Sequence, residues 1–460
     1  MSKKVLLLVL ALVLLVTAPL AACGQDEPTT PTTPTTPTTP TTPDKPAEPE
    51  KPESIKVGYL ADVTGPYAAV GAPLVKGFSD HFEMINQNGG IDGVPVEVLW
   101  EDTGAKADLA VTAYKRMKND GIIAVSCMVT PVALAVQSML AEDKIPGINQ
   151  SATLSLYMPP QDYMWCHGPI AVDGDLVGLY WFDTELWTSD EQWTLGILAH
   201  DNPFALGGVG AMYKYADTNN VKLLQPEVVA LGTQDYTANI KRLVDGGADM
   251  VVLETLGAST GTVLKQMGDL GVLATPAEAM AGDGKVVPFL GQTSFYPEQL
   301  TAAKEEAAYA YGSIPFYLDY ETDQEGVKLV NDFMIQKYGE VLPATEGGGG
   351  YRDGWNNSFV ISSAIEKAVK EVGWDKLNGE TLVEYGLKGL KISTNTFADE
   401  ISYADYDGDR VAVQSYRPGA WDMEIWDRTP VGPWINVPEI MADLRVTKYM
   451  TTQAGTGWYE

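Results

Sequence analysis

The sequence predicts an α/β protein of two doubly wound domains, each built on a parallel sheet. Three observations lead there. The chain has 460 residues, 45% of them apolar and 20% charged, which is enough apolar mass for more than one core. Short β-branched runs alternate with helix-length amphipathic segments, the pattern of βαβ units. That alternation runs twice, with a break near residues 155–190.

In the first series Ile55–Leu60 is a strand-like apolar run. Leu74 to Asn88 has helical periodicity and stops at Gly89-Gly90, a helix C-terminal signal. Val94–Trp100 alternates as a strand, and Ala107–Asn119 is a helix ending at Gly121. Ile122–Met128 is a strand, Ala133–Glu142 a helix, and Ile145–Ile148 a strand. The second series opens with strand Thr194–Ala199 and helix Gly208–Asn219. Strand Glu227–Leu231, helix Thr237–Val244, strand Met250–Leu253, helix Thr260–Leu270 and strand Val287–Leu290 follow. Open parallel sheets take ligands beyond the carboxyl ends of their strands, so the loops after these strands are where a site is expected.

The start of the chain reads differently. Lys3 and Lys4 precede the aliphatic run Val5–Val16, and Leu20-Ala21-Ala22-Cys23 follows. The run is short for a membrane span and has a processing site behind it, as in a secretory signal. Its ending resembles the bacterial lipobox, which implies cleavage before Cys23 and diacylation of the Cys23 thiol. Residues 1–22 are then a lipoprotein signal peptide. Residues 23–53, with Pro-Thr-Thr repeats from Pro28 to Pro43, form a disordered tether that cannot bury a core.

Composition excludes several functions. The net charge is −30, which phosphate backbones repel, so no nucleic acid is expected as partner. Three Cys and three His exclude a disulfide scaffold, an Fe–S protein and an ordinary zinc site; no metal or cofactor is expected. No phosphate-binding glycine motif is present, and Gly347 to Gly350 reads as a mobile loop. Asp405 to Asp409 looks faintly like a calcium loop, but its twelfth position is Tyr416, so an Asp-Gly hairpin turn is expected. Gly257-Ala258-Ser259-Thr260-Gly261 has the spacing of a hydrolase nucleophile elbow. The hydrolase order needs a His after the Ser, and His81, His167 and His200 all precede Ser259. Ser259 is therefore read as lying near a helix N-cap, and no catalysis is expected. Cys127 and Cys166 fall on two strands of the first series and allow either a disulfide or two buried thiols.

The ordered series Ile55-Lys56-Val57-Gly58-Tyr59-Leu60, Thr64-Gly65-Pro66-Tyr67, Gly71, Ile85-Asn86, Gly89-Gly90-Ile91-Asp92-Gly93, Glu101-Asp102 and Asp120-Gly121-Ile122 closely resembles the branched-chain amino-acid (Leu/Ile/Val-type) substrate-binding proteins of ABC transporters. The resemblance runs from about residue 54 to about 415. It implies the type I periplasmic-binding fold, two lobes joined by three crossovers near residues 170, 315 and 411. Lobe 1 is then 54–170 with 316–410, and lobe 2 is 171–315 with 411–460.

The resemblance also implies which loops touch ligand. The first matches Thr130 and the second Ser151, Ala152 and Thr153, whose hydroxyls and helix-start N–H groups suit a carboxylate. The third matches Phe204, where relatives often carry Tyr, and the fourth Leu256. Tyr67 is a candidate for the aromatic wall. Amino-acid binders carry an acid after the strand Val287–Leu290; here Thr293 falls at that place. The arginine common after the preceding crossover strand is also missing, where the chain reads Met164-Trp165-Cys166-His167. Glu254, at the end of strand Met250–Leu253, is a candidate replacement for the missing acid, its pKa lowered by pairing with a ligand cation. The implied function is a monomeric receptor, lipid-anchored on the extracytoplasmic face of the membrane. It captures an amino acid, amide or organic acid in the interlobe cleft and delivers it to an ABC permease and ATPase. A sensory receptor of the same fold is the alternative, and a hydrolase using Ser259 a remote one.

Overall fold

The computed structural model describes residues 51–441 except 159–162, 283, 398–399, 404–409, 412 and 414. The leader, Cys23, nearly all of the tether and the Asp405–Asp409 turn lie outside the described residues.

The first sheet has five strands: β1 (Ile55–Ala61), β2 (Val96–Asp102), β3 (Ile122–Cys127), β4 (Gly147–Asn149) and β5 (Met164–Cys166). All pairings are parallel, in the order β2-β1-β3-β4-β5. Helices α1 (Ala68–Gln87), α2 (Ala107–Asn119) and α3 (Thr130–Asp143) make the crossovers. Six of the seven residues of β1 are buried, as expected of a parallel strand covered on both faces.

After β5 the chain enters α4 (Ala171–Trp181) and builds a second sheet from β6 (Thr194–His200), β7 (Lys222–Leu223), β8 (Glu227–Val229), β9 (Met250–Glu254), β10 (Val287–Leu290) and β11 (Tyr311–Ile314). Helices α5 (Val209–Thr218), α6 (Thr237–Asp245), α7 (Ser259–Asp269), α8 (Pro276–Ala279) and α9 (Pro297–Leu300) lie between them. Here β7 and β8 both pair with β6, and β9, β10 and β11 follow in parallel. The doubly wound order of the first sheet is thus repeated. The stretch expected as a break between the two series contains β5 and α4, and α4 is buried nearly all round, so it shows no amphipathic stripe to read.

Beyond β11 the chain returns to the first layer. Helix α10 (Glu325–Tyr338) is tied to α1 by Lys337 and Tyr338, which both donate to Asp80, and α11 (Gly348–Val372) packs on α1. Strands β12 (Lys391–Ile392) and β13 (Ile401–Ser402) pair antiparallel. Then β14 (Ser415–Asp422) joins β11 antiparallel and carries β15 (Asp427–Pro430) and β16 (Ile435–Asn436).

Helices α1 and α11 approach backbone to backbone. A Cβ on Gly77 would lie 1.9 Å from Tyr351 O, and one on Gly354 would lie 2.0 Å from Leu74 O. Gly348, Gly349 and Gly350 form the first turn of α11, not a mobile loop. Their missing side chains admit Leu342 O, the Arg428 guanidinium, and Pro73 with Glu298, respectively. Cys127 and Cys166 are buried thiols that form no disulfide. They stand on β3 and β5 with β4 between, about 9–10 Å apart across two strand spacings, beyond disulfide reach.

Candidate functional site

A cavity with about 670 Å³ of empty space, open solvent at its mouth included, lies where the carboxyl ends of the two sheets face each other. One wall comes from Tyr67, Val70 and Leu74 of α1 and its start, from Met128 to Pro131 after β3, and from Gln150 to Ala152 after β4. The opposite wall is Phe204 after β6, Leu256 and Gly257 after β9, and Gln292, Thr293, Tyr296 and Gln299 after β10. Asp353 of α11 completes the lining.

Hydroxyls concentrate on the first wall. Thr130 Oγ1 is 2.8 Å from Ser151 Oγ and 2.6 Å from Thr153 Oγ1, all three buried. The two loops are tied at their base, where Gln150 N and Ser151 N both donate to Cys127 O at 3.2 Å. Tyr157 OH donates to Ser151 O at 2.5 Å. Thr153 is not on the lining; it holds Thr130. Helix α3 begins at Thr130 itself, with Pro131 next, and Val132 N and Ala133 N already donate to Val129 O. Side-chain hydroxyls, more than helix-start N–H groups, therefore make this donor surface. Tyr67 is held by its N–H to Asp62 Oδ2 at 3.0 Å, and burial pushes its phenol up to about 12.

The second wall is mostly apolar. Asn202 Oδ1 accepts from Phe204 N and Ala205 N, both at 3.0 Å, which sets the turn that presents Phe204. Leu256 N donates to His200 Nδ1 at 3.2 Å. His200 Nε2 then carries the hydrogen, 3.1 Å from Tyr236 OH. Burial pushes this imidazole down to about 4, so it stays neutral and serves to position the Leu256 loop. Gln299 Nε2 donates to Thr293 O at 2.5 Å, which leaves Gln299 Oε1 buried with no partner among the described residues.

The acid of the cleft is Asp353. Its Oδ1 is 2.8 Å from His167 Nε2, and Tyr296 OH donates to its Oδ2 at 3.3 Å. His167 Nδ1 is 2.9 Å from Asn149 O. No spacing signal links His167 to a residue 186 positions away. The only hint in the sequence was that the stretch Met164-Trp165-Cys166-His167 lacks the arginine that the resemblance implies there. Gln150, Gln292, Tyr296 and Gln299 were missed as well.

Glu254 is placed differently from the expectation. It is the last residue of β9, 2% exposed, and is not on the cavity lining. Its Oε1 fills the space beside Gly291, 1.7 Å from where a Cβ would stand. Its carboxyl faces that of Asp175 on α4, and among the described residues no other group donates to either Asp175 oxygen or to Glu254 Oε1. Burial, and then the Asp175 charge, push Glu254 well above the ordinary range, where the ligand-clamp reading had it lowered. Asp175 is raised too, chiefly by burial. The pair therefore holds a proton that the unfolded chain loses above about pH 4.

Between those values the native state binds more protons than the unfolded one, so stability falls with rising pH. The contribution is full at and below about pH 4 and is lost as pH climbs through the raised folded values. We expect urea midpoints to drop from pH 5 to pH 8 in the wild type and to drop less in Glu254→Gln, with solute affinity within about twofold. Loss of binding in Glu254→Gln would return this carboxylate to the cleft.

Residues 54–422 match the family model described as periplasmic binding protein. The Leu/Ile/Val-binding protein homolog 3 of Brucella melitensis biotype 1 is 24% identical over 234 residues, 50% of this chain and 61% of that protein. The match therefore leaves more than a third of that relative uncovered. The Leu/Ile/Val-binding protein BraC3 of Rhizobium johnstonii is 32% identical over 100 residues, 22% of this chain and 27% of its own length. In fold, the chain is similar to a branched-chain amino acid ABC transporter protein from Thermus thermophilus with bound valine. The TM-score is 0.73 at 18% identity, over 85% of this chain and 100% of that one. It is also similar to an R. palustris solute-binding protein in complex with 4-hydroxybenzoate, with TM-score 0.67 at 18% identity, over 83% and 97% of the two chains.

Proposed function

We propose, for a chain that belongs to the periplasmic binding protein family, that the cleft captures a small molecule, an amino acid or a related amide or organic acid, for an ABC importer. One observation carries the reading: the cavity lining combines donors, acceptors and apolar surface. Thr130, Ser151 and Gln150 Nε2, which has no partner among the described residues, offer donors. Asp353 and Gln299 Oε1 offer acceptors, and Tyr67, Val70, Met128, Phe204 and Leu256 supply apolar wall. A carboxylate, an apolar body and a donor-bearing group in one small molecule match that arrangement. The valine and 4-hydroxybenzoate of the structural neighbours share the carboxylate. Thr293 joins this reading as a neutral contact and Thr153 as a support for Thr130.

Residues 54–170 with 316–410 act as one lobe and 171–315 with 411–460 as the other, closing by a hinge over the solute. The protein binds as a monomer and turns nothing over. A thermal-shift screen of amino acids, their amides and aromatic and aliphatic acids tests the reading. A true solute at a hundred times its Kd adds about 2.7 kcal/mol of stability. A screen in which none of these classes shifts the transition removes the reading.

Cys23 holds the protein on the outer face of the membrane through its acyl chains. Among the described residues no helix is long and apolar enough to cross a membrane. Cys23→Ser is expected to release the protein or leave it unprocessed, since acyl burial contributes about 0.8 kcal/mol per methylene. Normal processing with continued sedimentation in high salt would end the lipid-anchor reading.

A further inference from the structure

We propose that the cleft takes a carboxylic acid bearing a hydroxyl in preference to the amino acid of the same skeleton, and that His167 makes this choice by engaging the one carboxylate of the lining, Asp353. The inference rests on the small-molecule reading of the cleft and narrows its substrate class.

The hydrogen bonds of His167 set up the argument. Asn149 O, 2.9 Å from Nδ1, can only accept, so Nδ1 carries a hydrogen. Asp353 Oδ1 lies 2.8 Å from Nε2, and that contact needs a second hydrogen between the two groups. Written as imidazolium with carboxylate or as imidazole with carboxylic acid, the pair has no net charge. Its side chains are 3% and 11% exposed, so water does little to loosen it. Tyr296 OH adds a further donor on Asp353 Oδ2 at 3.3 Å.

Among the described residues that line the cavity, Asp353 is the one with a charged side chain, and His167 stands off the lining. Burial keeps the Tyr67 and Tyr296 phenols protonated. The buried acids Glu254 and Glu298 are both off the lining, the first turned to Asp175 and the second in the field of Arg428. The cleft therefore presents acceptors without a net negative charge.

Three ligands on one skeleton differ in what they ask of these acceptors. An ammonium brings a full charge into a site with little water, where the carboxylate that would attract it is already neutralised by the proton it shares with His167. A hydroxyl brings one donor and no charge. It can give its hydrogen to Gln299 Oε1, which is buried with no partner among the described residues, or to a remaining lone pair of Asp353. A plain acid carries no donor and leaves Gln299 Oε1 unanswered. The carboxylate end is common to all three and cancels in the comparison. The hydroxy acid thus stands first, with the plain acid and the amino acid below it.

His167→Gln changes the charge and keeps the donor. Its amide has an N–H to place on Asp353 but no ionisable group, so the carboxylate is left without a counter-charge and becomes a partner for an ammonium.

Calorimetric titrations of the purified protein on two skeletons test this. The first set is L-leucine, 2-hydroxy-4-methylpentanoate and 4-methylpentanoate; the second is L-phenylalanine, 3-phenyllactate and 3-phenylpropanoate. In the skeleton that binds more tightly, the hydroxy acid is expected to bind about tenfold or more tighter than both the amino acid and the plain acid. In His167→Gln the amino acid is expected to gain about tenfold or more while the hydroxy acid changes little. His167→Gln combined with Asp353→Asn is expected to lose that gain, because the carboxylate is gone. A cleft merely loosened by the substitution would instead weaken all three ligands alike. A wild-type amino acid that binds as tightly as its hydroxy acid overturns the assignment and leaves the small-molecule reading standing. So does a His167→Gln protein that binds the hydroxy acid with no gain for the amino acid. The wild-type order decides by itself if His167→Gln does not fold. Failure of all six compounds to bind at millimolar concentration overturns both.

Discussion

A protein carrying Thr130→Val together with Ser151→Ala is expected to bind its solute about a hundredfold more weakly than wild type, with the fold intact. Both hydroxyls face the cavity, and they touch each other at 2.8 Å. A hydrogen bond to a charged group contributes about 1.5–3 kcal/mol, so each loss alone weakens binding tenfold or more. The two are not independent, because Thr130 Oγ1 also contacts Thr153 Oγ1 at 2.6 Å. Removing Ser151 Oγ frees Thr130 to turn toward Thr153, and the single variants together need not sum to the double. Val replaces Thr at nearly the same volume, so the start of α3 keeps its packing. Isothermal calorimetry with the tightest-binding compound of the screen reads the effect. An affinity in the double variant within threefold of wild type would remove this wall from the binding site.

Asp80→Ala is expected to cost on the order of 2–4 kcal/mol of stability without touching the cleft chemistry. Asp80 lies on α1, 4% exposed, where α1, α10 and α11 meet. It accepts from Lys337 Nζ at 2.6 Å, from Tyr351 OH at 2.8 Å and from Tyr338 OH. The buried Tyr351 hydroxyl is left without an acceptor, and that is the main cost. Lys337 adds less, because its side chain is 28% exposed and keeps Glu83 at 2.5 Å. Urea unfolding reads the loss as a lower midpoint at unchanged slope. A loss under about 1 kcal/mol would mean that the junction relaxes and the hydroxyls find water.

Much of the fold was legible because it depends on local pattern. Strand and helix periods alternate from Ile55 onward, and the burial of both sheet faces turns that pattern into parallel sheets in the same order twice. The loops that follow β1, β3, β4, β6, β9 and β10 were legible for the same reason, since a parallel sheet delivers every such loop to one edge. Tyr67, Thr130, Ser151, Ala152, Phe204, Leu256 and Thr293 all reach the cavity on that account.

What the sequence left open depends on contacts between distant segments. In a strand, residues two apart share a face, but β9 ends at Glu254, so the position of Leu256 in the loop beyond it does not say which way Glu254 turns. The close approach of Gly291 and the burial of Asp175 decided it. Gly348 to Gly350 read as loop because glycine is a poor helix former, yet packing against Pro73, Glu298 and Arg428 holds them as a helical turn. Asp353 carried no signal at all. It enters the cleft only because α11 returns to pack on α1 through Gly77 and Gly354, which sets a carboxylate beside His167 across 186 residues of chain. Local periodicity determined which strands and loops exist. The charge at the heart of the cleft was decided by how closely two helices approach, a distance that only the folded backbone sets.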